Sequence, residues 1–587
     1  MTATSPITPS PHHPITPVTP VLIVGAGPTG LTLAIELARR GVPFRLIDRD
    51  PAPAQTSRAL GVQARTIEVF RLMGIPETAL QPAVRPRAVR FAERNRTLAR
   101  IALTVNTRSD GTESPLIVVN QSDTERVLAR RLDQLGGRIE QSVELVGFRL
   151  DGDQVVATLR DAAGESEVRT RFLVGADGAH STVRHAAGIP FVGSAYPEQF
   201  LLADLDIDWA LPHDEANVWI GDDGLVFAFP LPDERRYRLI LPVPDAGAAR
   251  DDASEAEIAA EAETILRQRT GIQMRRVGDP LWASAFRVSR RQADRYREGP
   301  VFLVGDAAHV HSPVGGQGMN TGIQDAFNLG WKLALAVRER AAPGLLDTYQ
   351  EERLPIARGV LRGTDVTTRV FLANNAIASA FREQVIPIVA RLTQLASVRR
   401  RIFAATSQLD VIYPDSPLAV DAEDAGERGG WWRRFRADGL KPGDRVPDAI
   451  LQQAVTGDSV SLFALFARGW TLLLLPGESA TPETVAPLER LAAQARATVG
   501  DAVQAYLVLN APLKNASIVP ALLDPSRVVA RTFGADQGLV ALVRPDDYLG
   551  YRGRPGQQGE LASYLARVFA MQMPGVENGD AGTGGRA

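Results

Sequence analysis

The chain has 587 residues, 45% hydrophobic and 23% charged, with a net charge of −3. That length exceeds one hydrophobic core and predicts roughly two to four domains, and the near-balanced charge excludes the basic surface that nucleic acid requires. Cysteine is absent, which excludes disulfides, thiolate nucleophiles and cysteine-held metals and fits the cytoplasm.

Residues 1–19 are rich in Pro, Ser and Thr and lack the basic start and apolar run of a signal peptide, so they read as a disordered tail. No apolar run approaches the ~20 residues of a membrane helix, so no membrane partner is expected. The first element is the short apolar strand "VLIV", Val21–Val24. Gly25, Gly27 and Gly30 follow at GxGxxG spacing, and "LTLAIELARR" is apolar at helical period until Gly41 closes it. "FRLIDRD" is a second strand carrying Asp48 near its end.

Strand, glycine turn, helix, second strand and acid together predict a dinucleotide site. Gly25 allows the tight turn, Gly27 lets backbone approach a pyrophosphate, and Gly30 lets the helix pack closely on the strand. The helix N-terminus favours phosphate charge. Asp48 sits where a carboxylate accepts hydrogen bonds from ribose hydroxyls. This motif alone does not choose between NAD and FAD.

Further along come "SRALGVQARTIEVF", with Arg58 near its start, and "NQSDTERVLARRL", with Gln121. "FLVGADGAHSTVRHAAGI" is a buried strand that runs into Asp177-Gly178, with a helix beginning near Ser181; Arg184 is expected in a structural ion pair. From Phe200 the chain alternates apolar and polar residues at period two, broken at "GDDG" and "PDERR", which predicts an antiparallel sheet. His213 falls in a loop and is expected at the surface. "VFLVGD" is another strand ending in an acid, Asp306, followed by the loop "HVHSPVGGQGMN" and a long amphipathic helix from about Asn320. His309 and His311 suggest a metal pair, but no third ligand stands out, and Pro313 to Gly318 offers mainly backbone. Metal is therefore not expected. Past Ser407 polar stretches read as a linker. The order strand ("WTLLLLPG"), helix ("PLERLAAQARATV"), strand ("AYLVLN") and late strands ("GLVALVRPDDYLGYRG") completes the chain before a polar tail.

The three motifs in this order resemble the para-hydroxybenzoate hydroxylase family of single-component, FAD-dependent aromatic monooxygenases, over about Val21 to Asp410. The closing domain resembles the thioredoxin-like domain of the phenol and polyketide hydroxylase branch. The resemblance implies an α/β fold: a Rossmann-like FAD-binding domain with an inserted antiparallel-sheet substrate domain and a C-terminal thioredoxin-like domain. Its segments would be 20–75, 106–190 and 285–410 for FAD, 76–105 and 191–284 for the substrate sheet, 411–445 as linker, 446–571 as the thioredoxin-like domain and 572–587 as a tail. Without cysteine the last domain has no thiol redox role, which leaves a structural task or homodimer contacts.

The same resemblance implies bound FAD, with NADPH or NADH as transient co-substrate and O2 as oxidant. Gly25, Gly27, Gly30 and Asp48 would hold the ADP half, with Arg58 and Gln121 also reaching the cofactor. Asp177 would lie near the pyrophosphate, and Asp306 would bond the ribityl hydroxyls. Pro313, Gly318, Met319 and Asn320 would wall the reactive edge of the flavin, mainly through backbone. Trp219, Phe227, Phe229 and Phe286 are the candidates to face the substrate ring. The implied reaction is hydroxylation of a phenolic or polycyclic aromatic through a flavin C4a-hydroperoxide, with polyketide tailoring slightly ahead of phenol catabolism. Baeyer–Villiger oxygenation on the same fold is the alternative; a halogenase is disfavoured because no Trp-x-Trp-x-Ile-Pro segment is present.

Overall fold

Apolar runs far apart in the chain lie side by side in one parallel sheet. Thr19–Val24 pairs with Phe44–Asp48 on one side and with the end of Gly164–Gly175 on the other, and that strand pairs with Val301–Leu303. Val21, Leu22, Ile23, Leu173 and Val174 are fully buried, as expected of parallel strands covered on both faces. A computed structural model provides this architecture and describes residues 18–53, 59–103, 116–221, 224–244, 253–311, 316–372, 406–423, 439–513 and 517–570, with isolated residues between 391 and 404.

The helix Pro28–Arg39 leaves the first strand and packs on this sheet. Gly30 makes that close packing possible, because a Cβ there would lie 1.9 Å from the Gly25 carbonyl oxygen. The long helix Gly318–Val337 crosses it. Every residue of that second helix from Asn320 to Ala334 is buried. The amphipathic pattern of the sequence had suggested a wet face. Instead Asn320, Gln324, Asn328 and Lys332, spaced four apart along one stripe, meet polar partners inside the protein.

A second, mainly antiparallel sheet takes its central order from Trp282–Ala293, Phe191–Asp208, Arg236–Pro244, Gly224–Pro230 and Glu215–Gly221, with Ala88–Glu93, parallel to Glu215–Gly221, and Arg96–Ala102 added at the edge. The strand Trp282–Ala293 runs across the boundary expected at 284/285. One face is covered by the helix Glu255–Thr270, whose N-terminus carries a Ser254–Glu257 capping box.

The C-terminal residues form a third sheet in which Trp470–Leu475 pairs parallel with Val503–Leu509 and antiparallel with Leu539–Val543, and Leu539–Val543 pairs with Leu549–Gly553. With the helices Pro482–Val499 and Gln558–Val568 this is a thioredoxin-like order. The domain is not a separate bead. Phe463, Phe466 and Leu473 belong to the same continuous apolar cluster as Leu22 and Leu33.

Where this domain meets the FAD-binding part, charge is buried. Arg544 donates to both oxygens of Glu352, at 2.6 and 2.9 Å, and Lys332 donates to Glu352 at 2.8 Å. Burial pushes the Glu352 carboxyl up, but Arg544 and Lys332 outweigh it and hold the group below its ordinary 4.5. Burial drives the Lys332 ammonium down to about 8 despite Glu352. Asp325 is likewise held below its ordinary value, with Arg353 and His309 outweighing burial.

A carboxylate with a depressed folded pKa contributes stability above its unfolded pKa and loses it as pH falls. Urea unfolding should therefore show stability declining below about pH 4.5 as unfolded-state carboxylates take up protons that Glu352 and Asp325 refuse. The Glu352→Gln variant, though less stable at neutral pH, should show a shallower decline.

Candidate flavin site

The phosphate-binding turn is built from backbone. Gly25 has φ +101°, and a Cβ there would lie 2.4 Å from the Ala176 carbonyl oxygen. Gly27 is the N-cap of the helix Pro28–Arg39; no side chain caps that end, and nothing lies within 4 Å of where a Gly27 Cβ would stand. The helix end thus presents backbone N–H groups and the positive end of its dipole beside open space. Asp48 accepts from the Ala26 N–H at 2.6 Å and from the Asp50 N–H at 2.9 Å. Its carboxylate thus ties the turn to the end of the second strand.

Gln121 opens the helix Gln121–Gln134 and donates to Glu125 at 2.8 Å. Glu125 was not anticipated. Burial pushes its carboxyl up, the Gln121 bond opposes this, and the nearby charge of Asp48 adds to the rise. The Gln-x-x-x-Glu spacing was its only signal. Asp177 accepts from the Val183 N–H at 3.1 Å, while its Oδ1 is buried without a hydrogen-bond partner; burial pushes this carboxyl up. Arg184 does not form the expected ion pair. Its guanidinium donates to the carbonyls of Ala307 and Ala179, at 3.0 and 2.9 Å, and lies 3.9 Å over the Phe191 ring. It joins the Asp177 motif to the Asp306 motif through backbone, which side-chain types alone do not reveal.

Asp306 follows the strand Val301–Leu303 in a single turn of 3-10 helix and is exposed between buried Gly305 and buried Ala307. His309 contacts Asp325 at 2.7 Å, and Asp325 also accepts from Arg353 at 2.7 Å and from the Gly305 N–H at 3.2 Å. Among the described residues no group of three or more His, Asp or Glu could hold a metal. The His311 ring stands 3.6 Å from where a Cβ of Gly318 would be.

The long helix begins at Gly318, two residues earlier than expected, and Met319 packs partly buried against the core. Asn320 is fully buried, and its side chain is a clamp. Its Oδ1 accepts from the Gln63 N–H at 2.9 Å, and its Nδ2 donates to the carbonyls of Gly61 and Gly316, at 3.2 and 2.9 Å. Arg58 and Pro313 lie outside the described residues.

The substrate sheet has two unlike faces. Trp219 does not join the predicted ring-facing set. It lies 1% exposed in the cluster formed with Ile258, Ala259 and Leu266 of the covering helix. The period-two alternation puts it on the opposite face from Val218 and Ile220. Phe227, Phe229 and Phe286 lie on the other face, around Phe200, Leu202 and Trp282. That face also holds a buried pair missed by the sequence reading: Arg238 donates twice to Asp204, both at 2.7 Å, and lies 5.2 Å over Trp282. Arg238 further contacts the Ala59 carbonyl at 3.4 Å, so this face looks toward Leu60–Gln63, the strand that Asn320 clamps. Charged residues inside "LLADLDID" and "YRLIL" were the available signal. His213 is half-buried rather than superficial, with its ring 2.9 Å from the Leu231 carbonyl and edge-on to Tyr237.

A glycine turn and uncapped helix at a parallel sheet, beside a second sheet with an aromatic face, define a dinucleotide-binding protein. The chain belongs to the FAD-dependent aromatic monooxygenases. Residues 18–364 match the profile of the FAD binding domain family. The chain is 37% identical to 6-methylpretetramide 4-monooxygenase of Streptomyces rimosus, over 94% of this chain and 93% of that one. It is 34% identical to pentachlorophenol 4-monooxygenase of Sphingobium chlorophenolicum, over 90% and 93%. The flavin-dependent monooxygenase PieE, solved with FAD and substrate, superposes with a TM-score of 0.75 at 25% identity, covering 94% of this chain and 99% of PieE.

The residues present fit FAD: an open, uncapped helix N-terminus, a turn that excludes side chains, and an exposed carboxylate at Asp306. Asp306→Ala should purify with much less FAD, read as the absorbance ratio of flavin to protein; full retention of yellow colour would contradict a ribityl contact. Gly30→Ala should lose FAD as well, because its Cβ must displace backbone, an overpacking cost of about 1–3 kcal/mol that outweighs the roughly 1 kcal/mol gained in helix propensity. Thermal unfolding of the apoprotein checks this second change.

Proposed function

We propose that this monooxygenase hydroxylates a phenolic ring within a polycyclic, polyketide-type aromatic, using NADPH or NADH and O2. The observation that carries the reading is the aromatic face of the substrate sheet. Phe227, Phe229, Phe286 and Trp282 offer planar apolar surface on the side that looks toward Leu60–Gln63 and its Asn320 clamp. A flat fused-ring system buries its faces against such side chains. The 37% identical relative is named for a pretetramide, which supports a fused-ring substrate; the name of the second relative supports a phenol.

FAD, when bound, supplies the electron transfer and oxygen activation. The chain's own residues do the rest. Gly25, Gly27 and Gly30 would admit the pyrophosphate to the helix N-terminus, Asp48 and Gln121 would hold the ADP half, Asp177 would serve the pyrophosphate and Asp306 would bond the ribityl chain. The backbone at Gly318 and Met319, at the start of a 20-residue helix, offers N–H donors and a positive dipole to charge that gathers at the ring edge. Apolar walls of the substrate sheet keep water from the reacting atoms. Arg238, held by Asp204 on the same face, supplies positive charge beside the ring, where it favours a phenolate over a phenol.

The test is a panel of simple phenols and polycyclic polyketide aglycones offered to the FAD-loaded enzyme. At least one fused-ring phenol should accelerate NADPH or NADH oxidation with matched O2 uptake and give a product heavier by one oxygen atom. If no aromatic compound accelerates flavin reduction, the reading loses its support.

A further inference from the structure

Two adjacent residues of one tight turn grip two different helices of the flavin-binding part. The turn joins the strands Leu539–Val543 and Leu549–Gly553 of the C-terminal domain. Asp547 accepts from Arg65 at 2.6 and 2.7 Å, and Arg65 lies on the helix Ala64–Leu72. Asp546 accepts from Asn328 at 3.2 Å and from the Trp331 indole at 3.0 Å, both on the helix Gly318–Val337. Arg544 pins the same turn to Glu352. A weaker link, Arg445 to Glu68 at 2.8 Å, runs parallel to the Asp547–Arg65 pair.

These are the two helices whose leading ends Asn320 ties together. The strand Leu60–Gln63 runs directly into Ala64–Leu72, and Asn320 holds its Gly61 and Gln63. At a rise of about 1.5 Å per residue, the grip at Asn328 and Trp331 lies roughly 12–17 Å along the helix from Asn320. The two helices are thus fastened at two points, one beside the flavin edge and one inside the C-terminal domain. The second fastening is a poor choice for stability alone. Buried ion pairs gain little over apolar packing of the same volume, and their best-attested use is to fix registry. Asp547 also has φ +60°, a left-handed conformation that few residues other than glycine, asparagine and aspartate adopt.

We propose that Asp546 and Asp547 are positioning residues for the flavin edge: the C-terminal domain sets the register between the Ala64–Leu72 and Gly318–Val337 helices, and through the Asn320 clamp it fixes residues 316–320 against Leu60–Gln63. This rests on the hydroxylase reading, in which that segment walls the flavin edge. A wall out of register still allows flavin reduction and O2 uptake, but lets reduced oxygen escape as hydrogen peroxide instead of reaching the ring.

The decisive variant is Asp547→Gly in the full-length FAD-loaded protein. Glycine accepts the left-handed turn at no steric cost, so the variant removes the Asp547 carboxylate and its two bonds to Arg65 while Arg65 keeps its contacts with the Asp546 carbonyl at 3.3 Å and Glu68 at 3.1 Å. Amide hydrogen exchange should rise several-fold in segments 60–66 and 316–322 while segment 330–336 stays at the wild-type rate. The visible circular dichroism of the bound flavin should change. Hydrogen peroxide released per NADPH or NADH consumed should rise several-fold, with the substrate KM unchanged. Asp546→Asn should act in the same direction.

A lowered Tm with wild-type local exchange and wild-type coupling would overturn the proposal and leave only a structural role. If Asp547→Gly fails to fold, Asp547→Asn decides. It tolerates the left-handed turn and removes the charge that holds Arg65, and unchanged exchange in 60–66 would likewise overturn the proposal. Exchange and circular dichroism require no substrate. If the wild type oxygenates no aromatic, the functional reading falls while these two measurements still judge the link.

Discussion

The structure depends on a helix that has no exposed side over four turns yet carries polar residues along one stripe. Buried polar groups without partners cost free energy comparable to a lost hydrogen bond or more. Each residue of the stripe therefore meets at least one polar partner, though the Gln324 Oε1 has none among the described residues. Asn320 bonds the strand Leu60–Gln63, Gln324 bonds Gln408, Asn328 bonds Glu352 and Asp546, and Lys332 bonds Glu352. The helix runs from the Asn320 clamp to the C-terminal domain, so one requirement links the strand Leu60–Gln63 to a domain with no cysteine chemistry.

At the dinucleotide end the demand is opposite. There the chain removes side chains rather than matching them. Gly25 and Gly30 sit where a Cβ would collide with backbone, and Gly27 faces open space. Charge is supplied by a helix end and by carboxylates, Asp48 and Asp306, held at strand ends. The substrate sheet obeys a third rule. Its period-two alternation sends Trp219 to the covering helix and Phe227, Phe229 and Phe286 to the other side. A single buried ion pair, Arg238 with Asp204, breaks the apolar character of that second face.

Much of the flavin-binding end was legible before the structure. GxGxxG spacing, the following helix, Asp48 and the strand into Asp306 are local features, and local spacing determines them. Trp219 failed because a large aromatic in an alternating strand points to either face, and the covering helix Glu255–Thr270 lies far along the chain. Arg184 failed because its partners are carbonyl oxygens, which every residue carries. The Arg65–Asp547 and Arg544–Glu352 pairs join residues 482 and 192 positions apart, beyond any pattern readable in one segment.

By itself, the sequence determined the fold class, the FAD cofactor and the glycine turn at Gly25 to Gly30, because these rest on residue types at short, fixed spacing. Only the tertiary structure decided which face of the sheet the helix Glu255–Thr270 covers and that the polar stripe of the helix Gly318–Val337 is buried. It alone turned Asn320 into a clamp and brought the closing hairpin to that helix. Those outcomes depend on which distant surfaces are pressed together, and hydrophobic burial, being non-directional, does not write that choice into any single stretch of chain.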